Sequence, residues 1–239
     1  MRSKAAIVTG GGKGLGRAIA LRLGAQGYRV GLIGRAQSDL AAVRDEIQSN
    51  GGVAAFRAAD VGIWDEAEKA ILALADEHDG IDVLVNNAGG WMPPTLEDVE
   101  PAELANLLSS SVLGTAYCAK AAIPVMKKAG SGYILNIGST SGLVSSRDNA
   151  VSSTPKGAIQ LLSRTLGLET ERFGIRVSVL HPSSVEKKLP YDEVPPIGPD
   201  GFYVRLSQAQ VADIALFMIN QPDNVNIREL VVTPSGVFR

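Results

Sequence analysis

One cysteine, Cys118, is all that the 239-residue chain contains, so no internal disulfide can form. It lies in the apolar helical run A-Y-C-A-K-A-A-I, which reads as a buried structural thiol and is consistent with a reducing compartment. An excess of either charge is also missing. The 23 Lys and Arg face 25 Asp and Glu, a net charge of −2, and the basic residues are scattered rather than gathered into a stripe. This excludes the electrostatic footprint of a nucleic-acid binder or of a protein held on an anionic membrane, and leaves a small molecule as the expected partner. No apolar run nears the roughly 20 residues needed to cross a bilayer. Only M-R-S-K precedes the first strand, so neither a membrane helix nor a signal peptide is expected, and the expected location is cytoplasmic. Linkers, low-complexity tracts and repeats are lacking too, which makes one domain over residues 1–239 the simplest organisation.

What is present is an alternation. Short β-branched runs at Ala5–Thr9, Arg29–Ile33, Val53–Arg57, Val83–Asn86, Tyr133–Ile137, Arg176–Leu180 and Glu229–Val232 are separated by apolar residues at helical spacing, as in Ile19, Leu21, Leu23 or Ile159, Leu162, Leu166. Nearly all-apolar strands need cover on both sides, and parallel neighbours need crossovers. The pattern therefore predicts an α/β doubly wound parallel sheet of about seven strands with helices on both faces. The segment from Pro182 to about Leu206, with Pro195-Pro196, has no periodicity. Its place after the sixth strand, on the carboxyl edge, makes it a substrate loop or lid over 182–206, with a plain surface excursion as the alternative.

The first strand runs straight into Thr9-Gly10-Gly11-Gly12-Lys13-Gly14-Leu15-Gly16-Arg17 and then an amphipathic helix. Glycines there allow a tight turn and close backbone approach, so a pyrophosphate can rest on the amides and positive dipole of the helix N-terminus, as in a Rossmann fold. A P-loop is excluded because Gly14, not Ser or Thr, follows Lys13. T-G-x-x-x-G-x-G at 9–16, Asp60-Val61 after the third strand, Asn86-Asn87-Ala88-Gly89 after the fourth, I-G-S at 137–139 and a lysine at 156 together resemble the short-chain dehydrogenase/reductase family. The resemblance covers nearly the whole chain. It implies that Gly10, Gly12, Lys13, Gly14, Leu15 and Gly16 form the cofactor turn, that Asp60 hydrogen-bonds the adenine beside Val61, and that Asn87, Ala88 and Gly89 line the back of the cleft. Pro182 and Val185 belong to the segment around the nicotinamide, where Ser183 and Lys187 replace the glycine and threonine of relatives. The second strand ends Gly34-Arg35, with no acidic residue to repel a 2′-phosphate, and Lys13 adds a second cation. NADP(H) is therefore favoured over NAD(H).

At the catalytic end the resemblance assigns a carbonyl-positioning serine to Ser139 and a ribose-binding lysine to Lys156. Where relatives carry the proton-donating tyrosine, four residues before the lysine, stands Ser152; where they carry a helix asparagine stands Ser111. An aliphatic hydroxyl is a much weaker acid than a phenol of pKa about 10. Pro155 suits the first turn of a helix, and the residue before a proline avoids the α region. A helix starting near Pro155 with Thr154 as cap is thus expected, leaving Ser152 before it and off the lysine's face. Other donors are His181, read as packed at a strand end, Tyr191 and Tyr203 of the proline-rich segment, and Asp148; Tyr133 starts its strand at the opposite edge. No metal site is expected. Two functions stand: an NADP(H)-dependent oxidoreductase acting on a small carbonyl or alcohol, with Ser139, Lys156 and Ser152 as its catalytic set, or a non-catalytic member that binds NADP(H) or a related ligand. The resemblance also implies a homodimer or homotetramer through the helices around 101–129 and 155–172. The C-terminal N-V-N-I-R-E-L-V-V-T-P-S-G looks like the subgroup acting on hydroxy acids and small alcohols.

Overall fold

The computed structural model describes residues 3–90, 92, 95–147, 149–186 and 205–235. Its strands are β1 (Ala5–Thr9), β2 (Arg29–Gly34), β3 (Val53–Ala58), β4 (Val83–Asn86), β5 (Gly132–Ile137), β6 (Ile175–Pro182) and β7 (Glu229–Val232). They form one sheet in the order β3-β2-β1-β4-β5-β6-β7, with parallel pairing throughout. Side chains alternate across this sheet. Ala6 and Val8 enter one core with residues of α1 (Gly14–Ala25), α2 (Gln37–Ser49) and α7 (Gln208–Ile219), whereas Ile7 enters a second core with α3 (Trp64–Glu77) and α5 (Gly114–Ala129). Burial on both faces explains why the strands read as continuous apolar runs, as the alternation predicted. Cys118 of α5 is fully buried, and burial pushes its thiol up to about 12, which makes it a structural residue.

Beside β1 the strand order reverses, because β1 pairs with β2 on one side and β4 on the other. Connections leave the two halves of the sheet in opposite directions at this point, opening a crevice above the strand carboxyl ends. A buried polar chain braces the next strands. Asn86 Nδ2 donates to Asn136 Oδ1 at 2.9 Å, Asn136 Nδ2 donates to Ser163 Oγ at 2.8 Å, and Ser163 Oγ donates to the Ile159 carbonyl at 2.6 Å. This ties β4 and β5 to α6 (Ala150–Thr170) beneath the crevice.

Two helices depart from expectation. The 101–129 helix is three pieces: α4 (Pro101–Leu108), a π-helical turn (Ser109–Leu113) and α5. The turn contains Ser111, and such bulges concentrate at functional sites. The second departure is a correction: α6 starts at Ala150, Pro155 lies inside it, and Ser152 is on the same helix as Lys156, one turn earlier. Thr154 is no cap; its hydroxyl donates back to the Ala150 carbonyl at 2.8 Å. Proline removes one donor from the helix, and tertiary contacts offset this. Val151 is buried with Val99 and Leu107, Pro155 is itself buried, and Ser152 bonds the backbone of Met92.

Replacing Asn136 by alanine leaves Asn86 Nδ2 with only the long 3.5 Å bond to the Thr115 carbonyl and takes away the donor to Ser163 Oγ, and is expected to cost about 1–3 kcal/mol. Urea unfolding checks this: the midpoint should fall with the slope unchanged.

Candidate active site

The cleft begins at the glycine turn between β1 and α1. Gly14, with φ of 57°, faces open space, so the first-turn amides of α1 can be approached closely. Gly16 has the opposite reason to be glycine: a Cβ there would lie 2.2 Å from the Gly10 carbonyl oxygen and 2.5 Å from Asn87 Nδ2. Such a turn fits a dinucleotide pyrophosphate, which needs exposed amides and no side chains in the way. The turn is stitched to the exit of β4. Thr9 Oγ1 accepts the amides of Asn87 and Ala88, both at 3.0 Å, and Asn87 Nδ2 donates to the Thr9 and Gly10 carbonyls at 3.0 and 3.4 Å.

Further out, Lys13 is exposed at the N-cap of α1, and Arg35, whose side chain is 65% exposed, follows β2. Gly12 packs on the first turn of α2, where an added Cβ would lie 2.9 Å from the Cβ of Asp39. The first turn of α2 therefore lies against the glycine turn at Gly12, next in sequence to Lys13. Arg35 Nη1 stands 3.8 Å from Asp60 Oδ2, while Asp60 Oδ1 accepts the Gly62 amide at 2.9 Å. An exposed pair at this separation is weak, so Arg35 can turn to a stronger anion.

At the other end, β5 delivers Ser139, whose Oγ accepts the amide of Ser141 at 3.2 Å and its hydroxyl at 3.0 Å. With its acceptor capacity engaged in this way, Ser139 has its own O–H to donate to a carbonyl oxygen. Lys156 Nζ donates to the Ile137 carbonyl at 3.0 Å, and burial lowers it to about 8. His181 is fully buried, with Nδ1 3.2 Å from the Ser139 carbonyl oxygen. Desolvation lowers its pKa, partly offset by that hydrogen bond, which keeps the ring neutral near pH 7. Ser152, 2% exposed, accepts the Met92 amide and donates to the Met92 carbonyl, each at 3.0 Å. Ser111 Oγ is buried without a hydrogen-bond partner. Val185 pairs with Leu206, and the Glu186–Arg205 ion pair at 2.8 Å lies beside it. Lys187, Tyr191, Tyr203, Asp148 and the centre of the 182–206 segment lie outside the described residues.

The pattern of the family described as short chain dehydrogenase matches residues 4–192. The chain belongs to the short-chain dehydrogenase family. An uncharacterized oxidoreductase of Staphylococcus saprophyticus is 30% identical over 235 residues, covering 98% of each chain. A metagenomic short-chain oxidoreductase solved in complex with NADP is 30% identical, covers 98% of this chain and 99% of its own, and superposes with a TM-score of 0.84. The alcohol dehydrogenase of the archaeon Thermococcus sibiricus is 24% identical, with 100% and 99% of the two chains covered and a TM-score of 0.87, and speaks to the fold alone. This short-chain dehydrogenase is an oxidoreductase by type, of a family that uses NAD(P) and small-molecule substrates. No helix among its described residues is long and apolar enough to cross a membrane, and these residues contain no metal-binding cluster of acidic, His or Cys side chains.

Within this family frame, the structure gathers Gly10 to Gly16, Asn87, Ala88 and Gly89 at the switch point, with Ser139 after β5, Pro182 at the end of β6 and Lys156 in the second turn of α6, bonded to the end of β5. Val61 is buried next to Asp60. Three roles escaped the sequence reading, those of Thr9, Ser141 and Met92. Thr9 offered a signal, since a hydroxyl at the end of a buried strand must find partners. Ser141 and Met92 offered none, because their roles depend on what a turn and a distant helix bring to them.

A lysine with a pKa near 8 in the fold and near 10.5 unfolded loses its proton first in the folded state. Its contribution to stability is therefore least favourable below about pH 8 and improves as pH rises toward 10.5. Against the Lys156→Met variant, the wild-type urea midpoint should gain over this window; parallel curves would contradict the burial of the ammonium.

Proposed function

We propose that this short-chain dehydrogenase transfers hydride between NADP(H) and a small carbonyl or alcohol. The observation that carries the cofactor choice is the pair of exposed cations, Lys13 and Arg35, beside the glycine turn and the first turn of α2. A 2′-phosphate brings about two negative charges to this place, and Arg35, held by Asp60 at 3.8 Å only, is available to it. Gly10, Gly12, Gly14, Leu15 and Gly16 would hold the pyrophosphate, Asp60 and Val61 the adenine, and Asn87, Ala88, Gly89, Pro182 and Val185 the inner cleft. When bound, the nicotinamide supplies or accepts the hydride.

The chain's own work is orientation and proton handling. Ser139 donates its O–H to the substrate oxygen and polarises the carbonyl. Lys156 presents an ammonium of pKa about 8 next to the β5 exit, holding the nicotinamide ribose and carrying a proton at Nζ that can neutralise the nascent alkoxide. His181, neutral, donates from Nδ1 to the Ser139 carbonyl and steadies the segment that aims the serine. Exposed Leu113, Leu161 and Leu168 on the turn before α5 and on α6 support assembly into a dimer or tetramer through these helices. Residues 182–206 form the substrate loop of a single domain, its base held by the Val185–Leu206 pair.

One observation favours a second reading. Ser152 uses its only hydroxyl hydrogen on the Met92 carbonyl, which leaves the position expected of the acid without a free proton. On that reading the chain binds NADP(H) without turnover.

Titration of the protein with NADPH and NADH should give binding tighter for NADPH by about tenfold or more, and Arg35→Ser should bring the two close to parity. Binding of neither nucleotide would falsify the proposal. Consumption of NADPH against a panel of small carbonyls separates the two readings. Where reduction occurs, its rate should fall as pH rises through about 8, because the acid form of Lys156 is lost. A profile flat across that range removes Lys156 as the proton source.

A further inference from the structure

The hydroxyl of Ser152 is committed twice to one residue, accepting from the amide and donating to the carbonyl of Met92, 60 positions away in sequence. The site is closed, with Ser152 2% exposed and its neighbour Val151 buried against Val99 and Leu107, a cluster on which Met92 also packs. Met92 lies three positions along the chain from Gly89, which with Asn87 and Ala88 makes up the strip that leaves β4. That strip is held at two further points. Thr9 Oγ1 takes the amides of Asn87 and Ala88, and Gly89, with φ of 120°, is pressed on Ser111, whose Oγ would lie 2.4 Å from a Cβ added there.

We infer that Ser152 is a positioning residue that pins the chain beyond this strip through both backbone groups of Met92, and so helps to set the inner wall of the cofactor cleft. The inference rests on the reading of that cleft as the nucleotide site. A hydroxyl that both accepts and donates to one backbone residue behaves as a rung of sheet, fixing position and orientation together. Its single hydrogen is consumed in the rung, so pinning and proton donation exclude each other at this oxygen.

Hydrogen–deuterium exchange of the cofactor-free protein tests the rung without any nucleotide. Ser152→Ala removes one methylene-bound oxygen from a helix interior and should leave the fold intact. Losing both bonds should speed exchange of the Met92 amide by about tenfold. Amides of β1 and β5 should keep wild-type rates, and the NADPH dissociation constant should rise severalfold. The inference is overturned if the Met92 amide exchanges as before, or if all amides accelerate together, which marks general destabilisation. It is equally overturned if Ser152→Ala abolishes carbonyl reduction while Met92 exchange and NADPH affinity hold, the signature of a proton donor. Failure of the wild-type protein to bind NADPH or NADH is read on a separate arm and strikes the cleft assignment, not the rung.

Discussion

Thr9 stands where the strand order reverses, and its hydroxyl accepts the amides of Asn87 and Ala88 while Asn87 returns its carboxamide to the carbonyls of Thr9 and Gly10. The ladder sets β1 beside β4 as far as Val8 and Val85, but the connections beyond them leave toward opposite faces, and the sheet pairing does not reach them. The reciprocal bonds do. They bring the glycine turn within 2.5 Å of Asn87 at the position of a Gly16 Cβ, a separation that only glycine tolerates, and they fix the direction in which the amides of α1 face. Every later feature of the cleft takes its position from this seam.

Electrostatics then divides the cleft into two regimes. At the outer end Lys13 and Arg35 are exposed, and Arg35 is only loosely paired with Asp60, a setting in which charges are screened and can be redirected by a ligand. At the inner end Lys156 and His181 are desolvated, both pushed toward neutrality, and each is bonded to a backbone carbonyl of the β5 exit, Ile137 and Ser139. Mobile charge suits recognition of a phosphate; a desolvated base beside a polarising hydroxyl suits proton handling.

Hydroxyls carry an unusual share of the inner site. Ser141 engages the acceptor side of Ser139 and leaves its hydrogen for a substrate, whereas Met92 engages both sides of Ser152. Two serines that look alike in sequence are thus given different chemistry by their neighbours. Beneath them, Asn86, Asn136 and Ser163 join β4, β5 and α6 in a buried chain, so the platform under the site resists deformation.

How much of this the sequence decides depends on the range of the forces involved. The seven apolar runs and the glycine turn were legible because period and φ preference are local properties, and the structure repeats them closely; Ser139 and Lys156 were singled out by the family resemblance instead. The start of α6 was not legible. Local rules weigh Pro155 against its immediate neighbours and start the helix there, but the contacts that carry α6 back to Ala150 come from Met92, Val99 and Leu107, far away along the chain. The same holds for the fate of Ser152, the engagement of Ser139 by Ser141 and the approach of His181 to Ser139. A hydroxyl or an imidazole has no fixed role until folding presents it with donors and acceptors, and that presentation belongs to the tertiary structure alone.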